Sequence, residues 1–304
     1  MNRLVLIDGN AMLHRAYHAI PPILTTPDGS VVNAVYGFGT MLVKLIGDLK
    51  PTSVAVAFDR PKPTFRKKMY KEYQAKRPEM DKDLVSQIPK VHDLIRSFGI
   101  PIFEQDGFEA DDVIGTLAKK SKDQVIIVTG DRDILQLVKD DKVLVYMPTK
   151  GLSEAKLYGE KEVKERMGVS PDKIPDYKAL AGDQSDNYPG VPGIGPKTAV
   201  ALLTKYGSIE KVLKSNELTA PEKESARLSH DLATIRTNVP ISGSLMPLGS
   251  LNTPEAVIEL TRLGFRTLLK RITGEKDEPK KVKKSESRRK VGIPTEASGQ
   301  QQLF

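Results

Sequence analysis

The chain contains no cysteine in its 304 residues. That excludes disulfides and thiolate zinc sites, and it suits a reducing, cytoplasmic setting. No apolar run approaches the roughly 20 residues of a transmembrane helix, and the mean hydropathy of −0.34 points the same way. The N-terminus enters Leu4-Val5-Leu6-Ile7-Asp8 without the charged, apolar and cleavage regions of a signal peptide. No internal repeat is evident. The expected class is therefore a cytoplasmic globular protein with no membrane partner.

What is present is a sizeable core and a strong charge imbalance. Hydrophobic residues make up 39% of the chain, and its length suffices for two domains. The net charge is +8 and the pI about 9.3. A basic balance of this size favours a polyanionic partner.

Residues 1–167 alternate strand-like runs, near 3–8, 54–58, 100–104, 124–129 and 143–147, with helical periodicity at Tyr36 to Leu49, Leu84 to Phe98 and Glu109 to Lys120. That alternation predicts an α/β fold with a mostly parallel central sheet and helices on both faces. Residues 168–270 read as short helices punctuated by Gly and Pro, with starts at Ser208-Ile209-Glu210 and Thr253-Pro254-Glu255. They predict a small all-α domain. Residues 271–304 hold nine Lys or Arg against five acids and almost no apolar side chains. Such a segment cannot bury enough surface to order itself, and it predicts a disordered basic tail.

Nine acids stand where metal ligands are expected: Asp8, Asp59, Glu109, Asp111, Asp112, Asp131, Asp133, Asp183 and Asp186. Asp8, Asp59 and Asp131 each follow an apolar strand-like run. Ligands of an open parallel sheet bind outside the carboxyl ends of its strands, so these three should meet in one crevice. Helix capping alone would account for an acid or two in Glu109-Ala110-Asp111-Asp112, but three in four residues exceed it. Their wheel positions predict a polar half facing away from the core. Asp131 and Asp133 should point the same way if strand geometry persists, and Asp183 and Asp186 should share a helical face. So many carboxylates repel one another unless cations neutralise them, and magnesium is the hard cation that oxygen ligands suit.

Two further motifs suggest a grip on nucleic acid. Between Arg60 and Arg77 lie eight Lys or Arg and one acid, Glu72, with Phe65, Tyr70 and Tyr73 interleaved. Most charge runs are solvated helix faces, but this one begins directly after Asp59, and its aromatics sit beside cations as in single-strand binders. Gly190-Val191-Pro192-Gly193-Ile194-Gly195-Pro196-Lys197 permits a tight turn and close backbone approach to a phosphate, at the start of a helix running from Lys197 to Tyr206. A plain helix-connecting turn would use similar residues. Its position just after Asp183 and Asp186 favours a helix-hairpin-helix holding duplex phosphates without reading sequence.

Together these stretches resemble the 5′ nuclease domain of bacterial DNA polymerase I, a member of the flap endonuclease superfamily. The resemblance is carried by Leu6-Ile7-Asp8-Gly9, Ala34-Val35-Tyr36-Gly37-Phe38, Ala57-Phe58-Asp59, Phe65-Arg66, Tyr73 to Arg77-Pro78, Glu109 to Asp112, Thr129 to Asp133, and Gly182-Asp183 through Lys197. It implies a PIN-like nuclease core, 1–167, with a helical arch near 60–90. It also implies a helix-three-turn-helix DNA-binding domain over 168–270. The implied activity is that of a metal-dependent, structure-specific 5′-3′ exonuclease and flap endonuclease. The implied cofactors are two Mg2+ ions, replaceable by Mn2+, and K+ at the glycine hairpin. Asp8, Asp59, Glu109, Asp111 and Asp131 match the ligand group nearer the scissile phosphate, and Asp112, Asp133, Asp183 and Asp186 the rest. Tyr73, Lys76 and Arg77 are implied as catalytic, and Arg66, Lys67, Lys71, Gly190, Gly193, Gly195 and Lys197 as nucleic-acid contacts. The implied partners are DNA with 5′ flaps, nicks or ends and RNA–DNA hybrid primers, met by a monomer.

The family's arch carries Lys directly after the tyrosine, whereas here Gln74 follows Tyr73. No polymerase domain follows in this sequence, so the expectation is a standalone enzyme or an excised fragment. Gln300, Leu303 and Phe304 close the chain in a Gln-x-x-Leu-Phe pattern. It resembles the peptide by which bacterial replication enzymes dock on the sliding clamp. Two other readings compete. A non-catalytic branched-DNA binding module would not need all nine acids. A phosphatase of the haloacid dehalogenase type needs Asp-x-Asp at the first strand, where Asp8 is followed by Gly9-Asn10.

Overall fold

The computed structural model describes residues 2–150 and 154–275. The tail beyond 275, with Gln300, Leu303 and Phe304, lies outside them. The first strand, β1 (Arg3–Asp8), is buried along nearly its whole length. A near-continuous apolar run of this kind belongs inside a parallel sheet covered on both faces. It is followed by α1 (Gly9–Ala19), α2 (Asn33–Leu49), β2 (Ser53–Ala57), α3 (Phe65–Met69), α4 (Lys82–Ser97), β3 (Ile102–Phe103), α5 (Ala110–Lys120) and β4 (Gln124–Val128). A 3₁₀ turn over Asp133–Leu137 leads to β5 (Val143–Lys150) and β6 (Glu154–Tyr158).

The sheet order is β3-β2-β1-β4-β5-β6. The first five strands run parallel, and β6 returns antiparallel to β5 at the edge. The strand order reverses at β1, which pairs with β2 on one side and β4 on the other. Leu6 lies opposite Ala55 and Ile127. This is the topological switch point at which open α/β sheets hold their ligands, and Asp8 is the residue at its carboxyl end.

Alternate strand residues feed two cores. Leu4, Leu6, Ala55, Val125 and Ile127 face α5 through Val113, Ile114 and Leu117. Val5, Ile7, Val54, Val56 and Ile126 face α1, α2 and α4 through Leu13, Phe38, Leu42, Leu94 and Ile95. Gly9 follows Asp8 because a Cβ there would lie 2.5 Å from the Phe58 ring. The chain can therefore turn from β1 into α1 only without a side chain.

The remaining helices are α6 (Glu160–Met167), α7 (Ile174–Ala181), α8 (Pro196–Tyr206), α9 (Ile209–Lys214), α10 (Ala220–Ala233), α11 (Pro254–Arg262) and α12 (Arg266–Thr273). Helix α7 packs against α8, α9 and α10. Ile174, Leu180, Ala199, Leu203, Ile209 and Val212 extend the α5 side of the core. The helical unit expected over 168–270 is divided in its packing: α11 and α12 cross to the opposite face and contact α4 and α2. Ala256, Leu260, Phe265 and Leu268 are buried there. Helix α12 continues through residues 271–273, which the sequence places in the basic tail.

Candidate active site

Each strand-end acid is tied to a neighbouring element, and Asp8, Asp59 and Asp131 lie near enough to act on one another electrostatically. Asp8 does two jobs. Its Oδ1 accepts from Ala11 N at 2.9 Å, capping α1, and its Oδ2 accepts from Thr129 Oγ1 at 2.7 Å, across the gap from β1 to β4. Asp59, just past β2, accepts from Ala110 N at 2.7 Å and so ties β2 to the start of α5. Asp131 donates its N–H to Thr129 Oγ1 at 3.0 Å and accepts from Asp133 N at 2.8 Å.

These carboxylates share one electrostatic field. Loss of hydration pushes the Asp8 carboxyl up to about 6, against its two hydrogen bonds, and Asp59 and Asp131 add repulsion. Asp111 is held well above the usual carboxylate range, first by burial and then by Asp131, Asp8, Asp133 and Asp59. Glu109 is raised to about 7 by burial, although Arg66 opposes the rise. A surplus of desolvated acid is a common mark of a functional site.

Three expectations are corrected here, two about acids and one about Arg66. Asp112 does not lie on a polar half of α5; it is fully buried. Its oxygens accept from both ends of Arg66, from Arg236 N at 2.8 Å and from Glu109 N at 3.1 Å. Its lone pairs are thus spent inside the protein, which argues against a role as metal ligand. Arg66, expected on nucleic acid, is 2% exposed. It closes on Asp112, on Glu109 Oε2 at 3.1 Å, and on the carbonyls of Leu232 and Thr234. Asp133 does not follow Asp131 along a strand, because β4 ends at Val128 and Asp133 opens the 3₁₀ turn.

Asp183 and Asp186 sit in a turn instead of a helix. Asp183 Oδ1 accepts from the N–H groups of Ser185 and Asp186 at 2.7 and 3.2 Å. One residue the sequence reading did not single out joins here. Lys178 of α7 is 6% exposed and donates to both Asp133 and Asp183. The signal available was a lone lysine in the otherwise apolar end of α7, five residues before Asp183.

The arch segment does not form one continuous helix. After the five residues of α3, turns run over 71–77 and lie on the acids. Tyr73 is 3% exposed, and its hydroxyl lies 3.0 Å from Asp186 Oδ2 and 3.2 Å from Glu109 Oε2. Gln74, in the left-handed region at φ 54°, donates its backbone N–H to Asp186 O and its Nε2 to Asp186 Oδ1 at 3.1 Å. Arg77 Nη2 reaches the same Oδ1 at 2.9 Å while half of its side chain stays exposed. Lys71 and Lys76 are exposed, and Lys67 donates to Tyr73 O at 2.8 Å.

The glycine hairpin divides into two parts. Gly182 and Gly190 are required by each other, since a Cβ on Gly190 would lie 2.2 Å from Gly182 N. Gly190 is buried and donates to Ser229 Oγ, so it holds the turn instead of meeting a ligand. Gly193, at φ 81°, has open space around it, and with Gly195 and Lys197 it is exposed at the start of α8.

The donor set suits a divalent metal. Asp8, Asp59, Asp111 and Asp131 act on one another electrostatically, and hard cations take oxygen ligands of this kind. Their mutual repulsion is what a bound cation would relieve. Among the described residues, however, no three Asp, Glu or His side chains already stand as a ligating group. The positive charge next to the acids comes from Arg66, Arg77 and Lys178.

With this geometry in place, the chain was compared with known proteins. Residues 3–168 match a family model described as 5′-3′ exonuclease, N-terminal resolvase-like domain. Residues 169–255 match one described as 5′-3′ exonuclease, C-terminal SAM fold. DNA polymerase I of Bacillus subtilis is 41% identical over 284 residues, which cover 89% of this chain and 32% of that protein. The chain thus spans about a third of the length of such polymerase relatives. A 5′-3′ exonuclease of Aquifex aeolicus is 41% identical over 249 residues, covering 79% of this chain and 84% of that protein. Among solved structures, the T5 D15 protein co-crystallised with metal ions superposes with a TM-score of 0.64 at 19% identity. It covers 90% of this chain and 98% of its own, a likeness of fold.

Proposed function

We propose, from the premise that this chain belongs to the 5′-3′ exonuclease family of phosphodiester-cleaving nucleases, that it cuts 5′ flaps and 5′ ends at nicks and branch points in DNA. The observation that carries this reading is the placement of Asp8, Asp59 and Asp131 at or just past the carboxyl ends of β1, β2 and β4, three neighbouring strands, with Asp111 close enough to be repelled by all three. The cofactor of the reading is Mg2+ at two sites, with Mn2+ able to replace it. What a divalent ion supplies when bound is a water of lowered pKa and neutralised phosphate charge.

The chain's own residues do the rest. Asp8, Asp59, Asp111 and Asp131 hold the first ion, with Glu109 at the edge of the group. Asp133, Asp183 and Asp186 are the acids available to a second. Thr129 and the N-terminus of α1 fix the Asp8 carboxylate in one orientation. Arg77 and the exposed Lys71 and Lys76 meet the phosphates of the incoming strand, and Tyr73 positions Glu109 and Asp186 through its hydroxyl. Gly193, Gly195 and Lys197 offer N–H groups and a cation at a helix N-terminus to the phosphates of the duplex. K+ held by the hairpin carbonyls belongs to the same reading.

The working division of the chain is a nuclease core over 1–167, a duplex-binding unit after it and a basic tail to 304, amended by the return of α11 and α12 to the core. Cytoplasmic location, a monomeric state, RNA–DNA hybrid primers as substrates and sliding-clamp docking through Gln300, Leu303 and Phe304 complete the proposal. A labelled 5′-flap duplex incubated with the protein and Mg2+, beside an EDTA control, tests it. Release of the flap only with Mg2+ supports the reading. Tight binding without cleavage in Mg2+ or Mn2+ would make the chain a branched-DNA binding module instead.

A further inference from the structure

The second group of acids is already neutralised from within. Lys178 is almost wholly buried, and the carboxylates it meets are largely so, at 16% exposure for the Asp133 side chain and 14% for Asp183. Both contacts run to the same Nζ atom, so one ammonium bridges two carboxylates that come from different elements, the 3₁₀ turn after β4 and the turn after α7. The Lys178 backbone is anchored as well, because its carbonyl accepts from Gly182 N at 2.8 Å and closes α7. Two buried carboxylates without a counter-charge would be costly, and removing the single cation they share would leave both uncompensated. The first group differs: among the described residues no ion pair joins a Lys or Arg to Asp8, Asp111 or Asp131, which repel one another, and Arg77 acts on Asp131 without a direct contact. The two halves of the site therefore differ in kind.

We propose that Lys178 is a resident counter-cation for the second carboxylate group, its ammonium standing between Asp133 and Asp183 where a second divalent ion would be held. This rests on the metal-dependent reading above and refines it. The free protein takes one divalent ion at the Asp8, Asp111 and Asp131 group. It takes a second only in competition with Lys178, whose amine must leave both carboxylates and find other acceptors. Lys178 thereby acts as a positioning residue. It keeps Asp133 and Asp183 together in the absence of the ion and makes occupancy of the second site depend on whatever draws the amine away, of which a phosphate oxygen of bound substrate is the chemically matched candidate.

The test is calorimetric titration of the full chain with Mn2+, and with Mg2+, for the wild type, Lys178→Met, Lys178→Gln and Lys178→Arg, with thermal melts in EDTA and in Mg2+. The wild type and Lys178→Arg should bind one ion, and a second at least tenfold more weakly. Lys178→Met and Lys178→Gln should bind the second ion at least tenfold more tightly than the wild type. They should also melt lower than the wild type in EDTA and gain more from Mg2+. If Lys178→Met fails to fold, the polar and near-isosteric Lys178→Gln decides. Equal second-site affinity and equal Mg2+-dependent stabilisation in wild type and neutral variants would overturn the proposal while leaving the metal-dependent reading standing. Absence of any divalent binding by the wild type would overturn both.

Discussion

Arg66 and Asp112 form a two-point ion pair inside the protein, with Nη1 at 2.7 Å from Oδ2 and Nη2 at 2.9 Å from Oδ1. The pair joins the start of the arch to α5, and Arg66 also donates to the carbonyls of Leu232 and Thr234 at the C-terminal end of α10. Three elements distant in sequence are thus fastened at one guanidinium. Breaking such a pair leaves a buried charge without a partner, which costs about 3–5 kcal/mol. Arg66→Met and Asp112→Asn should each lose stability on that scale in urea denaturation. The double variant Arg66→Met, Asp112→Leu should recover part of it, since apolar replacement of a whole buried pair is often tolerated. A loss below 1 kcal/mol in either single variant would remove the keystone role.

Asp111, in the first turn of α5, predicts the opposite sign. Asp111 is disfavoured by its neighbours in the ion-free protein, so Asp111→Asn should melt at a higher temperature than the wild type in EDTA. The same change removes a metal ligand. Cleavage of a 5′ flap should fall by more than the ~10–100-fold that loss of a supporting partner costs a metal site. A variant that melts no higher in EDTA, or that still cleaves, would show that Asp111 is not under this strain or not a ligand.

The direction of the pH dependence in EDTA follows from Asp8, raised to about 6, and Glu109, raised to about 7. Each holds its proton in the folded state at pH values where the unfolded chain has lost it. Stability falls with pH wherever the folded state binds more protons. Their contribution is therefore complete below about pH 4, the ordinary range of such carboxyls, and is lost as the pH rises to 6–7. Melts from pH 4.5 to 7.5 in EDTA should fall on this account, and excess Mg2+ should flatten the trend.

His230 gives a separate pH signal through Asp176. Its Nε2 lies 3.3 Å from Asp176 Oδ1, and that hydrogen bond raises the imidazole above its usual range. Asp176 Oδ2 also accepts from Ile209 N, so the pair links α7, α9 and α10. A raised imidazole stabilises the fold fully below its unfolded value of about 6.5, and this is lost as the pH rises through the folded value. His230→Gln should therefore be less stable than the wild type at pH 5.5 and nearly equal to it at pH 8.5. An equal deficit at both values would assign His230 a packing role alone.

How far the sequence reading reached depended on how local the determining contact was. Asp8, Asp59 and Asp131 were legible because each ends or closely follows a strand buried on both faces, and the order of such strands leaves only one crevice. The direction of Asp112 was not legible, since α5 is enclosed on two sides: the sheet covers Val113 and Leu117, and Arg66 covers the acid. Lys178 escaped notice because its partner Asp133 lies 45 residues away in sequence, and no periodicity records such a pairing. Strand β6 was missed because most of Glu154–Tyr158 is exposed at the sheet edge, with Tyr158 its one buried residue. The helical arch that the family resemblance implied near 60–90 gives way to turns over 71–77, where Tyr73 meets Glu109 and Asp186 and Arg77 meets Asp186.

Gln74 supplies the last test, because the structure changes what its replacement should do. From sequence alone, restoring the family's lysine here would add a cation for the substrate phosphate. In the structure, position 74 already lies on Asp186, with its side-chain amide on the same oxygen that Arg77 contacts. A lysine amine in that place would exchange a neutral hydrogen bond for a charge-assisted one, roughly twice as strong. The arch turn would then hold Asp186 more firmly in the free enzyme, and a divalent ion would have to compete with two cations instead of one. Gln74→Lys should raise the Mg2+ concentration for half-maximal single-turnover cleavage by about tenfold, which corresponds to ~1.4 kcal/mol. Gln74→Gly should lower that concentration, since it loses the amide contact and suits φ 54° better. The measurement is a Mg2+ titration of single-turnover flap cleavage for the three proteins. Coincident curves would mean that Asp186 does not change partners during the reaction.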